Sequence, residues 1–256
     1  MGLQLSGAGV VVTGGGSGIG AALARRFAAA GARVVVNDLD AEKAAAVAKE
    51  IGGFAVPGDA ASVAGVEALL SAATGHLGAI DLYCANAGVG GAEALDDAAG
   101  WELAWNVNVL AHVRAAHALL PGWLERGRGH FLATVSAAGL LTMLGAPAYS
   151  VTKHGALAFA EWLSATYGDK GITVQALCPQ GVRTPMMEAA GKAGEVLLAP
   201  SAIEPDDVAD TVMAGLEDGR FLILPHAEAA EYYAARAAHP DQWLASMRKL
   251  QAVIEA

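Results

Sequence analysis

Tyr149 and Lys153, in the stretch YSVTK, place a phenol and an ammonium four residues apart. On a helix that spacing brings both side chains to one face. A phenol with an ordinary pKa of about 10 is a poor acid or base at neutrality, but a cation within a few ångströms favours its ionised form. The pair therefore reads as a tuned proton donor and acceptor. The same residues also suit an amphipathic helix whose tyrosine packs and whose lysine is solvated, so their meaning depends on what surrounds them.

Far upstream, a strand-like run leads straight into TGGGSGIG, where Thr13, Gly14, Gly18 and Gly20 precede a helical segment. Glycines allow a tight turn and let the backbone approach a pyrophosphate, while the helix that follows offers unpaired amides at its positive end. A glycine-rich turn in some other doubly wound protein is the competing reading. Asp38, in VVVNDLD, comes about twenty residues later, where a carboxylate can bond both ribose hydroxyls of an adenosine and would repel a 2′-phosphate. With Ser17 in the loop and no Lys or Arg immediately after Asp38, NAD is expected over NADP. Asp38 would otherwise cap the next helix, a task Asp40 can perform. Asp59, in PGDAA, is placed to approach an adenine amino group, and Asn86, in CANAG, to brace neighbouring strand ends. Both residue types also favour turns for local backbone reasons.

Groups so far apart in sequence need a sheet to bring them together. AGVVVTG, RVVVND, FAVPGD, IDLYCANAG, GHFLATVS, ITVQALCP and FLILP are runs of strand length. They are separated by helical patterns near Gly18 to Ala30, Ala41 to Ile51, Val63 to Leu77, Trp101 to Leu124, Ala148 to Tyr167 and Pro205 to Leu216. This alternation predicts an α/β protein with one domain over residues 1–256, a Rossmann-type doubly wound parallel sheet of about seven strands with helices on both faces. No unit of solenoid length repeats. The segment 185–201, PMMEAAGKAGEVLLAPS, leaves the pattern and suits a lid over a pocket. The tail, 226–256, reads as two helices parted near His239 and Pro240, with Tyr232, Tyr233 and Trp243 available to pack on the body or on a second subunit.

Composition narrows the function. Hydrophobic residues make up 54% and charged residues 16%, which argues against disorder, and no apolar run has membrane-spanning length. A net charge of -10 with no basic run disfavours nucleic acid and anionic membranes, leaving a small molecule as the expected partner. The amino terminus has no basic stretch ahead of an apolar one, so a cytoplasmic location is expected. Cys84 and Cys178 lie at the ends of strand-like runs without metal-ligand spacing and read as core thiols. The seven histidines form no ligand-like pair, and no catalytic metal is expected.

Taken in order, TGGGSGIG, Asp59, the NAG of Asn86 to Gly88, Asn108 in WNVNV, Ser136 in TVSAAG, and YSVTK resemble the short-chain dehydrogenase/reductase family over roughly Leu5 to Leu224. The resemblance implies a catalytic set of Asn108, Ser136, Tyr149 and Lys153. Tyr149 would move a proton to or from the substrate oxygen, and Lys153 would lower the tyrosine pKa and hold the nicotinamide ribose. Ser136 would steady the developing oxyanion, and Asn108 would position a water linking Lys153 to solvent. It also implies that NAD is held by Gly14, Ser17, Gly18 and Ile19, by Asp38, Asp59 and Ala60, by Asn86, Ala87 and Gly88, by Tyr149 and Lys153, and by Pro179, Val182 and Thr184. In CPQGVRTPM, Gln180 stands where the family usually has glycine, with Gly181 after it, so the turn is expected with an amide directed toward substrate. The family's Val-Asp-Gly-Gly ending is absent after FLILPH, which favours a homodimer over a homotetramer.

The activity this implies is NAD-dependent interconversion of a secondary alcohol and a ketone. An apolar pocket wall is expected from Leu140, Leu141, Met143, Leu144, Met186, Met187, Val196, Leu197 and Leu198. Reduction of a carbon–carbon double bond is disfavoured by the close tyrosine–lysine spacing. An inactive NAD-binding regulator, or a methyltransferase, would not need Ser136, Tyr149 and Lys153 together.

Overall fold

The computed structural model describes residues 2–255. Seven parallel strands form one sheet in the order β3-β2-β1-β4-β5-β6-β7. They are β1 (Gly9–Thr13), β2 (Arg33–Asn37), β3 (Phe54–Ala55), β4 (Leu82–Ala85), β5 (Gly129–Thr134), β6 (Ile172–Leu177) and β7 (Leu222–Ile223). Every expected strand is present, but FAVPGD and FLILP contribute only the two-residue edge strands β3 and β7. Short edges suit a sheet that must not recruit a foreign strand.

Side chains alternate across a strand, and the valine runs use both faces. Val10, Val12, Val34 and Val36 pack beneath α1 (Gly18–Ala29), α2 (Ala41–Ile51) and α9 (Pro205–Asp218). Val11 and Val35 turn the other way, with Tyr83 and Phe131, toward α3 (Val63–Leu77), α5 (Ala111–Arg126) and α6 (Pro147–Tyr167). Each fully buried Val, Leu or Phe contributes about 1.5–3 kcal/mol of transfer free energy, which explains why central strands read as unbroken apolar runs. The chain winds outward in one direction from β1 to β3 and in the other from β4 to β7. A crevice forms at that reversal, beyond the carboxyl ends of β1 and β4.

The expected helix from Trp101 to Leu124 is divided. Its first part is α4 (Ala98–Trp105), its last is α5, and between them Asn106–Leu110 forms a π-helical turn. Residues 185–201 hold two short helices, α7 (Pro185–Glu188) and α8 (Gly191–Leu197), and then a 3-10 turn at Ala199–Ser201. The carboxyl-terminal α10 (Glu228–Ala238) and α11 (Pro240–Glu255) part at His239. Trp243 of α11 packs against the main core, while Tyr232 and Tyr233 are exposed. Among the described residues no helix is long and apolar enough to cross a membrane.

Candidate active site

The loop after β1 is built for an anion. Gly14 and Gly18 adopt left-handed backbone, with φ of 61° and 49°. A Cβ at Gly20 would collide with the Gly14 carbonyl oxygen and approach Asn86 Nδ2 to 2.6 Å. Ser17 has the extended backbone of an N-cap, yet its exposed side chain makes no capping bond. By contrast, Asp40, Ser62, Asp97 and Thr184 all accept from the helices they precede. Among the described residues the first amides of α1 thus have no side-chain acceptor, and the positive end of the helix stays open. These are the features a pyrophosphate requires. Gly20→Ala is expected to weaken NADH binding at least tenfold, measured by fluorescence titration, because the added methyl pushes the loop off the Asn86 brace; unchanged affinity would contradict this packing.

Asp38 Oδ2 accepts from the Gly16 amide at 2.9 Å and Oδ1 from the Asp40 amide at 3.0 Å, leaving lone pairs on both oxygens. The capping role has passed to Asp40, which receives Glu42 and Lys43 amides at 3.1 Å. A cation that the sequence reading did not weigh stands close by. Lys43 Cβ lies 2.7 Å from where a Gly16 Cβ would be, and its ammonium is paired with Asp40 at 3.2 Å. Asp59 folds back on its own turn, receiving Ala61 and Ser62 amides at 2.7 and 3.1 Å. The Ser62 hydroxyl, rather than its amide, is the main reason its carboxyl is held below the usual range. Ala60 is buried beside it, and Ile19 packs on the core beneath the glycine loop.

Asn86 braces three strand ends. Its Nδ2 donates to the carbonyls of Thr13 and Gly14 at 3.0 and 3.3 Å, and its Oδ1 receives Thr134 Oγ1 at 3.1 Å. Thr13 Oγ1 accepts from the amides of Asn86 and Ala87 at 3.0 and 3.1 Å. On the far side of β2, buried Asn37 ties its own strand to the carbonyls of Val56 and Gly58 at 2.9 and 3.0 Å. Asn37 and Thr134, each a polar residue at the carboxyl end of an apolar strand, carry that position as their sequence signal, whereas Thr152 lies within α6 and has none.

The second half of the site lies beside β5 and α6. Ser136 follows β5, receives the Ala138 amide on Oγ at 3.0 Å and faces the Pro179 carbonyl at 3.5 Å. Tyr149 is partly buried on α6, and loss of water raises its phenol above the ordinary value while the Ser136 hydroxyl draws it partly back. Lys153 is buried one turn on, its Nζ donating to the Thr134 carbonyl at 3.0 Å and standing 5.5 Å from the Tyr149 ring centre. Burial lowers its ammonium to about 8. The expectation that Lys153 lowers the phenol therefore needs correction for the free protein: the hydroxyl of Ser136 does so, and desolvation outweighs it. The two groups share a face as their spacing requires, but the dry environment disfavours charge on both.

Asn108, in the π-helical turn, is wholly buried. Its Nδ2 donates to the Val89 carbonyl at 2.9 Å and to Thr152 Oγ1 at 3.0 Å, while its Oδ1 receives the Val89 amide at 2.9 Å. Both side-chain donors are spent, so the amide anchors the 87–89 turn and has no N–H for a water. The site that a Cβ on Gly88 would occupy lies 3.3 Å from Asn108 Oδ1 and 3.4 Å from Lys153 Nζ, so the three meet at one point.

Pro179 and Val182 are buried after β6, and Thr184 Oγ1 caps α7 through the Met187 amide at 3.3 Å. Thr184 Cγ2 lies 3.0 Å from where a Gly18 Cβ would be, which closes this turn over the glycine loop. Two members of the expected pocket wall are lost. Leu140 and Leu141 belong to the core, because the 3-10 turn at Ala137–Gly139 folds them inward and Arg236 holds the Leu140 carbonyl. Met143, Leu144, Met187, Val196, Leu197 and Leu198 are partly exposed, and Met186 is exposed.

Residues 8–194 match the family model of the short chain dehydrogenases. This chain belongs to that family. The 1-deoxy-11-beta-hydroxypentalenate dehydrogenase of Streptomyces avermitilis is 36% identical over 86% of this chain and 84% of its own length. The cyclohexanol dehydrogenase of an Acinetobacter species is 32% identical over 81% of this chain and 87% of its own. A short chain dehydrogenase/reductase from Burkholderia phymatum, solved in complex with NAD, superposes with a TM-score of 0.87 at 25% identity, covering 94% of this chain and 96% of that one. The chain is thus an NAD-dependent oxidoreductase of the short chain dehydrogenase family, interconverting a secondary alcohol and its ketone.

Proposed function

We propose that Tyr149 is the proton-transfer residue of this reaction, with Ser136, Lys153 and Asn108 as its partners and a largely apolar alcohol or ketone as substrate. Bound NAD supplies the hydride acceptor. In the oxidative direction the phenolate of Tyr149 takes the hydroxyl proton, and Ser136 Oγ donates to the same substrate oxygen to hold it in line. Lys153 supplies positive charge beside the phenol and would donate hydrogen bonds to the nicotinamide ribose. Asn108 keeps the 87–89 turn in register with Lys153. On the other side, Gly14, Ser17, Gly18 and Ile19 would cradle the pyrophosphate, Asp38 the adenosine ribose, Asp59 and Ala60 the adenine, and Asn86, Ala87, Gly88, Pro179, Val182 and Thr184 the ribose and carboxamide of the nicotinamide.

The observation that carries this reading is the meeting of an uncapped helix start beside Asp38 with a phenol set between the Ser136 hydroxyl and the Lys153 ammonium. The proposed lid, 185–201, is supported by how its ends are held. The Ile203 amide donates to the Gly181 carbonyl at 3.1 Å and the Arg183 amide to the Ile203 carbonyl at 2.9 Å, so the segment between can move on a fixed base. Its Met187, Val196 and Leu197 supply the apolar surface.

The test is a series of secondary alcohols offered with NAD and with NADP, following reduced nicotinamide by absorbance. NAD is expected to be preferred, and Asp38→Ala to reduce that preference about tenfold or more, since two charge-assisted hydrogen bonds and a repulsion are removed. Turnover favouring NADP in the parent would defeat the cofactor assignment.

The reading also takes the enzyme to be a cytoplasmic homodimer. Cys84 and Cys178 are buried free thiols, as suits a reducing compartment. Leu103, Trp105, Val151 and Trp162 are exposed, and Trp105 reaches within 3.6 Å of a Cβ position at Gly155, which joins α4 and α6 into one apolar face. Sedimentation equilibrium should give a dimer for the parent and a monomer for Val151→Glu/Trp162→Glu; an unchanged assembly would rule this face out.

A further inference from the structure

We propose that Gln180 is a specificity-determining residue, donating from Nε2 to a second oxygen of the substrate, one that is not on the reacting carbon. The assignment rests on the alcohol oxidation proposed above and deepens it. Gln180 Nε2 is buried and, among the described residues, has no hydrogen-bond partner. Leaving such a donor unpaired is unfavourable, so it is retained where an acceptor arrives with a ligand.

The backbone at this position is firmly held. His226 is buried at the start of the tail, and its Nδ1 accepts from the Gln180 amide at 3.2 Å. That bond puts the ring proton on Nε2, which faces the carbonyls of Gly181 at 3.1 Å and Ser201 at 3.2 Å. One imidazole therefore fixes the Gln180–Gly181 turn and the far end of the lid together. The neighbouring Pro179 carbonyl accepts the Ala137 amide at 2.8 Å and faces Ser136 Oγ, so Gln180 is one residue from the group that meets the substrate oxygen. Glycine would leave this place empty; glutamine fills it with an amide whose donor is unspent. The ligand it fits is a secondary alcohol or ketone with a further hydroxyl or carbonyl oxygen close to the reacting centre.

The experiment compares cyclohexanol with 1,2- and 1,3-cyclohexanediol as substrates, with NAD, for the parent, Gln180→Leu and Gln180→Glu, alongside NADH affinity by fluorescence titration. Leucine removes the donor at similar volume, and glutamate replaces it with an acceptor at the same shape. The ratio of kcat/KM for the better diol to that for cyclohexanol is expected to fall about tenfold in both variants, with NADH affinity within twofold of the parent. Should Gln180→Leu not fold, as judged by its melting curve, Gln180→Glu decides alone. A ratio unchanged within twofold overturns the assignment, as does a tenfold loss of NADH affinity at constant ratio, which would give the amide to the cofactor. A parent that oxidises neither alcohol class defeats the hydride-transfer reading itself, whereas a parent that oxidises both with an unchanged variant ratio defeats only this assignment.

Discussion

Tyr149→Phe is expected to lower kcat for secondary-alcohol oxidation about a thousandfold while NADH binding stays within twofold of the parent. A positioned acid or base contributes 10²–10⁴-fold, and phenylalanine keeps the ring and its packing while removing the only oxygen that can exchange the proton. The size of the effect follows from the surroundings. Ser136 Oγ is beside the phenol but, as an aliphatic hydroxyl, is far too weak an acid or base to replace it, and Lys153 Nζ is directed at the Thr134 carbonyl, so neither takes over proton transfer. In the free protein desolvation keeps the phenol neutral and the lysine lowered to about 8. A cation held beside the phenol, which bound oxidised NAD would supply, would favour the phenolate. Steady-state kinetics and a binding titration on the same preparation separate the two effects; turnover in the Phe variant within tenfold of the parent would take the proton from Tyr149 and assign it elsewhere.

Acidification from pH 7 to pH 5 is expected to remove about 4 kcal/mol of folding stability through two histidines, at about 2 kcal/mol each. His112 on α5 is 1% exposed, and neither ring nitrogen has a partner among the described residues; its ring meets Phe131 edge-on at 6.1 Å. Burial, and secondarily the Lys153 charge, lower its pKa to about 3. His130 on β5 donates to Gln175 Oε1 at 2.8 Å, because Gln175 Nε2 is already committed to the Gly215 and Arg220 carbonyls at 2.6 Å. Burial lowers it to about 4 despite that bond. The sign is set by the unfolded chain, where both imidazoles bind protons below about pH 6.5 while the folded chain does not, so acid favours unfolding. The loss begins near pH 6.5 and continues toward the folded values near 4 and 3. Urea melts at pH 7 and pH 5 measure it, and His112→Leu should remove about half of the difference. Equal midpoints at the two pH values would show that these rings acquire protons without unfolding.

The parallel sheet was legible because its central strands are buried on both faces, which leaves valine runs that a solvent-exposed strand could not carry. Its edges were overestimated: Val56 and Leu224 continue apolar runs, but the pairing has already ended at Ala55 and Ile223. The nucleotide loop was legible because its glycines answer to backbone collisions that any side chain would cause, and Asn86 because one amide was expected to brace strand ends and does. What sequence could not supply was the direction in which a side chain spends its hydrogen bonds. Asn108 is committed to Val89 and Thr152, and Lys153 faces the Thr134 carbonyl, choices set by neighbours from other elements. Leu140 and Leu141 failed as pocket wall for a related reason. Their apolar character fits a cavity and a core equally, and only the turn at Ala137–Gly139 decides between them.

The π-helical turn at Asn106–Leu110 amounts to one residue more than a regular helix would hold. Excision of a single residue there would gain the chain a smoother rod from Ala98 to Arg126, and the resulting rotation of about 100° would swing Asn108 away from Val89. The irregularity is thus the peg on which the 87–89 turn hangs, and a more ideal scaffold would be the poorer enzyme.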